Sequence, residues 1–152
     1  MIQKIKTFFG LSSQRKILLV QTLGWSAYTY FLFTFFNRYA RFGNEAKMVS
    51  IGSGLSSKSG QMNQKIKDIR WAIQFTDRFI PWKNVCRHQA YQAMQLCNHY
   101  KIPCKTFIGF KKDKAKGTIE AHAWTISGNT IITGFCNPQE YTIQSIFENK
   151  WS

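Results

Sequence analysis

Apolar and polar positions follow three different rhythms along the 152 residues. Residues 17–36, ILLVQTLGWSAYTYFLFTFF, run without a charge. Further on, QKIKDIRWAIQFTDRFI places Ile66, Ile69, Trp71, Ile73 and Phe79 among charges. That spacing predicts an amphipathic helix ending before Pro81. In PWKNVCRHQAYQAMQ and the residues after it, Ala90, Met94 and Cys97 recur at three and four, with Tyr91 and Leu96 beside them. A second helix is predicted there, running to about Tyr100 and capped by Asn84. The rhythm then shortens. IPCKTFIGFK suits a strand that starts after Pro103, and TIEAHAWTI and NTIITGF suit two more. Ser127-Gly128-Asn129 joins the last two as a hairpin. KKDKAKG reads as a solvated basic hairpin tip. Helices first and an antiparallel sheet after them predict an α+β domain.

Three regions follow from this pattern: an apolar helical region at 1–49, a Gly/Ser-rich loop at 50–64, and a core at 65–152. The apolar run at 17–36 admits three arrangements. It can pack on the domain, lie on a membrane surface through its aromatic face, or span a bilayer. Gln21, Thr22, Gly24, Ser26, Thr29 and Thr34 dilute it, and basic residues flank both ends (Arg15 and Lys16, Arg38 and Arg41). Packing is therefore the first expectation, surface contact the second and a span the third.

The apolar fraction of 44% fits a folded chain, and 21 basic residues against 7 acidic ones give a net charge of +14. Such a chain attracts acidic peptides, nucleic acids or anionic lipid. It lacks zinc-finger spacing, a Walker loop and an RNA-binding signature, so nucleic acid is not an expected partner.

Four cysteines, Cys86, Cys97, Cys104 and Cys136, form no dense disulfide pattern, and no secretion signal stands at the start. A reducing cytosol with free thiols is expected. Cys97, His99 and Cys104 lie close together in CNHYKIPC, but no fourth ligand or paired CxxC accompanies them, and no metal or cofactor is expected. Cys86 stands apart. In the first turn of its helix, free N–H groups and the helix dipole favour an anion and shift a thiol toward thiolate. Among the histidines, His88 lies two residues away on the same helix and points elsewhere, and His99 belongs to the helix end. His122, on a strand, is left as the candidate base. Thiol on a helix start and imidazole on a strand are the papain and transglutaminase arrangement. The alternative is a core cysteine and an unrelated histidine.

CRHQAYQAMQLCNHYKIPCKTFIGFKKD followed by AHAWTISGN resembles the transglutaminase-like leader peptidases of lasso-peptide gene clusters. Cys86, Ala90, Leu96, Ile102, Pro103, Ile108, Gly109 and Ala121 to Trp124 fall at matching positions, over roughly residues 66 to 135. The resemblance implies N-terminal helices and a papain/transglutaminase-like cysteine-peptidase core. It also implies an activity: removal of the leader from a ribosomally made precursor so that a lasso cyclase can close the ring. Cys86 is then the nucleophile and His122 the general base, later the acid. Backbone N–H groups at the helix start, that of Cys86 included, would hold the oxyanion. Trp124, on the same strand face as His122, either walls the substrate site or packs in the core.

One departure concerns the third catalytic member. The family places an acidic residue on the strand after the histidine, where this chain reads Thr133-Gly134. Asn129 and Asn137 are the nearest amides able to orient the ring. Glu120 shares the His122 face but at a poor angle. No small leader-binding module is legible in the first 60 residues, so a separate leader-recognition protein is an expected partner, with membrane-surface contact at the inner leaflet as a further one. Two other readings stay open: a Cys–His acyltransferase or amidase acting on a non-peptide amide, and a non-catalytic membrane-associated binding protein.

Overall fold

The computed structural model describes residues 10–35, 60–112 and 117–151, and the backbone of 47–48. Most of the expected loop at 50–64 and the centre of the basic hairpin tip lie outside these. The order is α1 (Ser13–Phe35), β1 (Lys47–Met48), α2 (Gly60–Asp77), α3 (Cys86–His99), β2 (Lys105–Lys112), β3 (Ile119–Ser127), β4 (Thr130–Thr133), a 3-10 turn (Pro138–Glu140) and β5 (Thr142–Glu148). One antiparallel sheet has the order β1-β5-β2-β3-β4. The described residues thus form an α+β fold of three helices and a sheet.

α2 and α3 bury most of the rows their sequences set out, although Trp71 is half-buried and Phe79, past the end of α2, is exposed. In α2 the buried row is Ile66, Ile69, Ala72, Ile73 and Thr76, at spacings of three, three, one and three. The helix begins at Gly60, inside the stretch expected to be loop. α3 is buried without interruption from Ala90 to Cys97, because α1 and α2 cover one side and the sheet the other. α1 packs on both other helices, as its first expectation held. No helix among the described residues is long and apolar enough to cross a membrane, which removes the span.

The pattern predicted three strands and the sheet has five. β5 lies beside β2 in the middle, and the register between them slips at Ile108/Gly109. Ile108 faces Ser145 and Gly109 faces Ile143, so Gln144 is an extra residue.

The end of the sheet that carries Ser127 is closed by hydrogen bonds. Ser127 Oγ donates to the Pro103 carbonyl at 2.6 Å, and the Thr106 and Thr125 hydroxyls bond at 2.8 Å. Buried Asn149 accepts from the Cys104 N–H at 3.1 Å and donates to the Ile102 carbonyl at 2.8 Å. Lys105 and Glu148, paired across β2 and β5, form a largely buried ion pair.

Candidate active site

Cys86 is the first residue of α3. The residue before it, Val85, occupies the N-cap in extended conformation, with no side-chain cap bond. Asn84, expected there, is drawn away. Its Oδ1 accepts from Gln92 Nε2 at 2.8 Å, two turns along the helix, and its carbonyl accepts from Gln89 Nε2 at 2.9 Å. The helix therefore opens one residue later than expected, directly on the thiol. The first bonds of its ladder are the His88 and Gln89 N–H groups donating to the Val85 carbonyl. The Cys86 N–H has no acceptor among the described residues, as is usual for a first-turn donor. A half-buried thiol beside a free N–H at a helix start is a fit place for a developing oxyanion.

His122 lies on β3 opposite Gly109 of β2. Two bonds set the direction of β3 against α3. Thr125 Oγ1 donates to the Ala90 carbonyl at 3.3 Å, and Ser127 reaches Pro103 beyond the helix end. His122 therefore lies toward the start of α3. Relative to the Thr125–Ala90 contact, His122 is about 10 Å along the strand and Cys86 about 6 Å along the helix, in the same sense. His122 Nε2 is buried and has no hydrogen-bond partner among the described residues. The ring lies 5.5 Å from that of Tyr141 and 6.3 Å from that of Trp124, tilted by 31° and 21°. Gly109 makes this stack possible. A Cβ there would meet the Thr142 carbonyl oxygen at 3.0 Å and both Trp124 and Tyr141 at 3.2 Å.

Trp124 is 1% exposed and stacks on Phe107 at 5.4 Å. Of the two expectations for Trp124, its burial favours core packing, beneath His122. The two amides are placed elsewhere. Asn129 sits in the turn between β3 and β4, at the far end of the strand from His122. Asn137 caps the 3-10 turn. Its Oδ1 accepts from the Gln139 N–H, and its Nδ2 donates to Glu140 Oε1, both at 3.3 Å. Neither amide bonds the imidazole. Glu120 instead lies 3.6 Å from Lys111 Nζ.

Gly134, one of the two positions where the acidic residue was expected, has no room for a side chain. Its φ is +68°, and a Cβ would lie 2.2 Å from the Ala123 carbonyl oxygen and 2.8 Å from Trp124 Cα. The chain crosses β3 too closely to carry any side chain there. It then delivers Cys136, which sequence reasoning left out of the site. Burial pushes the Cys136 thiol up; Lys111 pulls it down, while Glu140 and the Cys86 thiol push it further up. Lys111 in turn lies 5.0 Å over the Tyr141 ring and 3.5 Å from Glu140. Cys136 thus lies within electrostatic range of both Cys86 and Lys111, and Lys111 stands over the Tyr141 ring that packs against His122. No spacing rule signals Cys136, since it lies fifty residues from Cys86 on an irregular segment.

The remaining chemistry-bearing residues lie elsewhere. His88 is buried, its Nδ1 at 3.1 Å from the Lys83 carbonyl and its ring stacked on Phe33 at 5.2 Å. Cys97 and Cys104 are fully buried and hydrogen-bonded to each other. That bond and burial raise Cys104 well above an ordinary thiol. His99 is exposed and reaches Gln21 of α1, so CNHYKIPC does not gather its three residues. No group of three His, Cys, Asp or Glu able to hold a metal occurs among the described residues.

Compared with known proteins, residues 30–145 match the model of a family described as Transglut_core3, transglutaminase-like superfamily. No curated protein and no solved structure matches the chain.

Proposed function

Because the chain belongs to the transglutaminase-like superfamily, whose members commonly work with a Cys–His–Asp set, we propose that it is a cysteine peptidase built on Cys86 and His122. The observation that carries this is the position of Cys86 as the opening residue of α3, its own N–H without an acceptor among the described residues. In the mechanism the thiol gives its proton to His122. The sulfur attacks the scissile carbonyl carbon, and the charge that forms on oxygen is met by the Cys86 N–H. His122 then protonates the leaving amine, and water, deprotonated by the same ring, releases the acyl group. With no carboxylate at 133–134, a dyad held in place by packing replaces a triad. Tyr141 and Trp124 fix the ring by contact, where a third member would fix it by hydrogen bond.

The resemblance of the Cys86 helix and the Ala121–Trp124 strand to lasso-peptide leader peptidases supports a finer reading. The substrate is a ribosomally made precursor, presented by a separate leader-recognition protein, and the product goes to a lasso cyclase. The test is cleavage of such a precursor in the presence of its leader-recognition protein. Cleavage is expected with the parent chain and abolished in Cys86→Ala. Hydrolysis or transfer on simple amides with no action on the precursor would overturn the finer reading in favour of an amidase or acyltransferase. Full activity in Cys86→Ala would overturn both.

A further inference from the structure

The packing of α1 is inverted. Toward the domain it presents Thr22, Ser26 and Thr29, all buried, between Leu18, Leu19, Leu32 and Phe33. The Thr22 and Thr29 hydroxyls are absorbed by the carbonyls of Leu18 and Trp25, four residues back, and Ser26 accepts from Trp82 Nε1 at 3.0 Å. Outward it presents Ile17, Val20, Leu23, Phe31 and Phe35, with Val20 and Phe35 both 67% exposed. Gly24, Ala27, Tyr28 and Thr34 fill the rest of that face, which holds no charge from residue 17 to residue 35. Isolated exposed apolar side chains need no explanation, but a continuous row about 27 Å long does. Beside it, Phe79 and Ile80 at the end of α2 extend the same apolar surface, lining a groove with Leu19, Val20 and Leu23.

We propose that this face docks on an anionic lipid surface, with α1 lying flat in the interface. Three observations choose lipid over other covers. The inner face of α1 is pinned to the domain by the Arg15–Asp68 ion pair at 2.8 Å, the Trp82–Ser26 bond and the Tyr100–Gln21 bond at 2.6 Å, so the helix meets a bilayer sideways. Basic residues stand at both ends of the helix in the sequence (Lys4, Lys6 and Lys16; Arg38 and Arg41), and exposed Arg78 and Lys83 lie next to Phe79 and Trp82, against one carboxylate, Asp77. An apolar face with a basic border is the pattern of a helix in the plane of an anionic membrane. A second copy of the chain would bring +14 against +14. A protein partner takes its register from polar contacts across the interface, and between Ile17 and Phe35 the outward row offers only the Tyr28 and Thr34 hydroxyls.

The test is co-sedimentation of the full chain with vesicles of phosphatidylcholine alone, or of phosphatidylcholine and phosphatidylglycerol in equal parts. Binding to the mixed vesicles is expected, weakened by salt, and lowered about tenfold or more in Val20→Asp and in Phe31→Asp. Should either variant melt early, Val20→Ser and Phe35→Ser serve in its place. Cys86→Ala is expected to bind as the parent does, so the result stands apart from the fate of the peptidase reading. Absence of binding to mixed vesicles overturns the proposal, as does equal binding by the variants. A dimer split by Val20→Asp would give the face to a second copy, and a leader-recognition protein released by Val20→Asp, with no vesicle binding, would give it to that protein; either outcome overturns the lipid assignment.

Discussion

The two ends of β3 are built on opposite rules. At the Ser127 end most buried polar groups are partnered: Thr125 with Thr106 and Ala90, Ser127 with Pro103, Asn149 with Cys104 and Ile102. Asn98 Oδ1 and Thr133 Oγ1, buried without a partner among the described residues, are the exceptions there. At the His122 end the pattern reverses. His122 Nε2 on β3, and Asn84 Nδ2, His88 Nε2 and Gln92 Oε1 at the start of α3, are buried without partners among the described residues. Glycines at 109 and 134 let backbones approach where side chains would stand. A buried polar atom without a partner costs about 1–3 kcal/mol, so the sheet is held by one end and leaves groups unsatisfied at the other. Functional groups are commonly found at such unsatisfied places.

If that division holds, substitutions at the two ends separate activity from stability. His122→Ala is expected to give the largest effect, a loss of about a thousandfold or more in kcat/KM. Its melting temperature should stay near that of the parent, because the ring nitrogen removed has no partner to strand. An unaltered rate would remove His122 from the mechanism. Asn149→Ala should do the reverse. It strands the Cys104 N–H and the Ile102 carbonyl, both buried, at a cost of about 2–5 kcal/mol in urea unfolding. The folded fraction should keep its activity, and a loss below 1 kcal/mol would show that the closed end is not what holds the sheet.

Gly134→Ala tests the open end by geometry. A Cβ there meets Ala123 and Trp124, and a non-glycine residue at φ +68° is strained. About 2–4 kcal/mol should be lost, with kcat falling because Trp124 supports His122. Asn137→Ala should cost only about 0.5–1 kcal/mol, as a weakened turn cap, with kcat unchanged. A large fall in kcat without destabilisation would make Asn137 the ring's orienter after all.

The elements with regular rhythm were legible before the structure: α2, α3, β2, β3, β4 and the Gly128–Asn129 turn, where Gly128 takes φ +54°. β5 was not, because Gln144 is bulged out and puts Ile143 and Ile146 three apart, which breaks the alternation that marks a strand. Asn84 misled for a related reason. Its side chain fits an N-cap locally, but Gln92, eight residues on, competes for it. Cys86 and His122 could be named from residue type, spacing and resemblance. Their support by Tyr141, Gly109 and Gly134 depends on chain crossings that no local pattern records. α1 was read as packed, yet which of its faces points outward was invisible, since Thr and Ser are expected to face solvent.

His88 gives the smallest of the expected effects, and it sharpens the comparison because it is a titratable group at the open end outside the proposed mechanism. Burial lowers its pKa below the ordinary 6.5 and the adjoining Arg87 lowers it further, while the bond to the Lys83 carbonyl acts the other way. The unfolded chain therefore takes up a proton near pH 6.5 that the folded chain still refuses. Stability from this site is full above that pH and is lost as pH falls toward the lowered value, at a slope of at most about 1.4 kcal/mol per pH unit. Urea midpoints followed from neutral to mildly acidic pH should fall in the parent and fall less steeply in His88→Gln. Equal slopes in the two would mean that the proton is accommodated beside Phe33 at no cost, and that the open end tolerates charge as readily as it tolerates unpaired nitrogen.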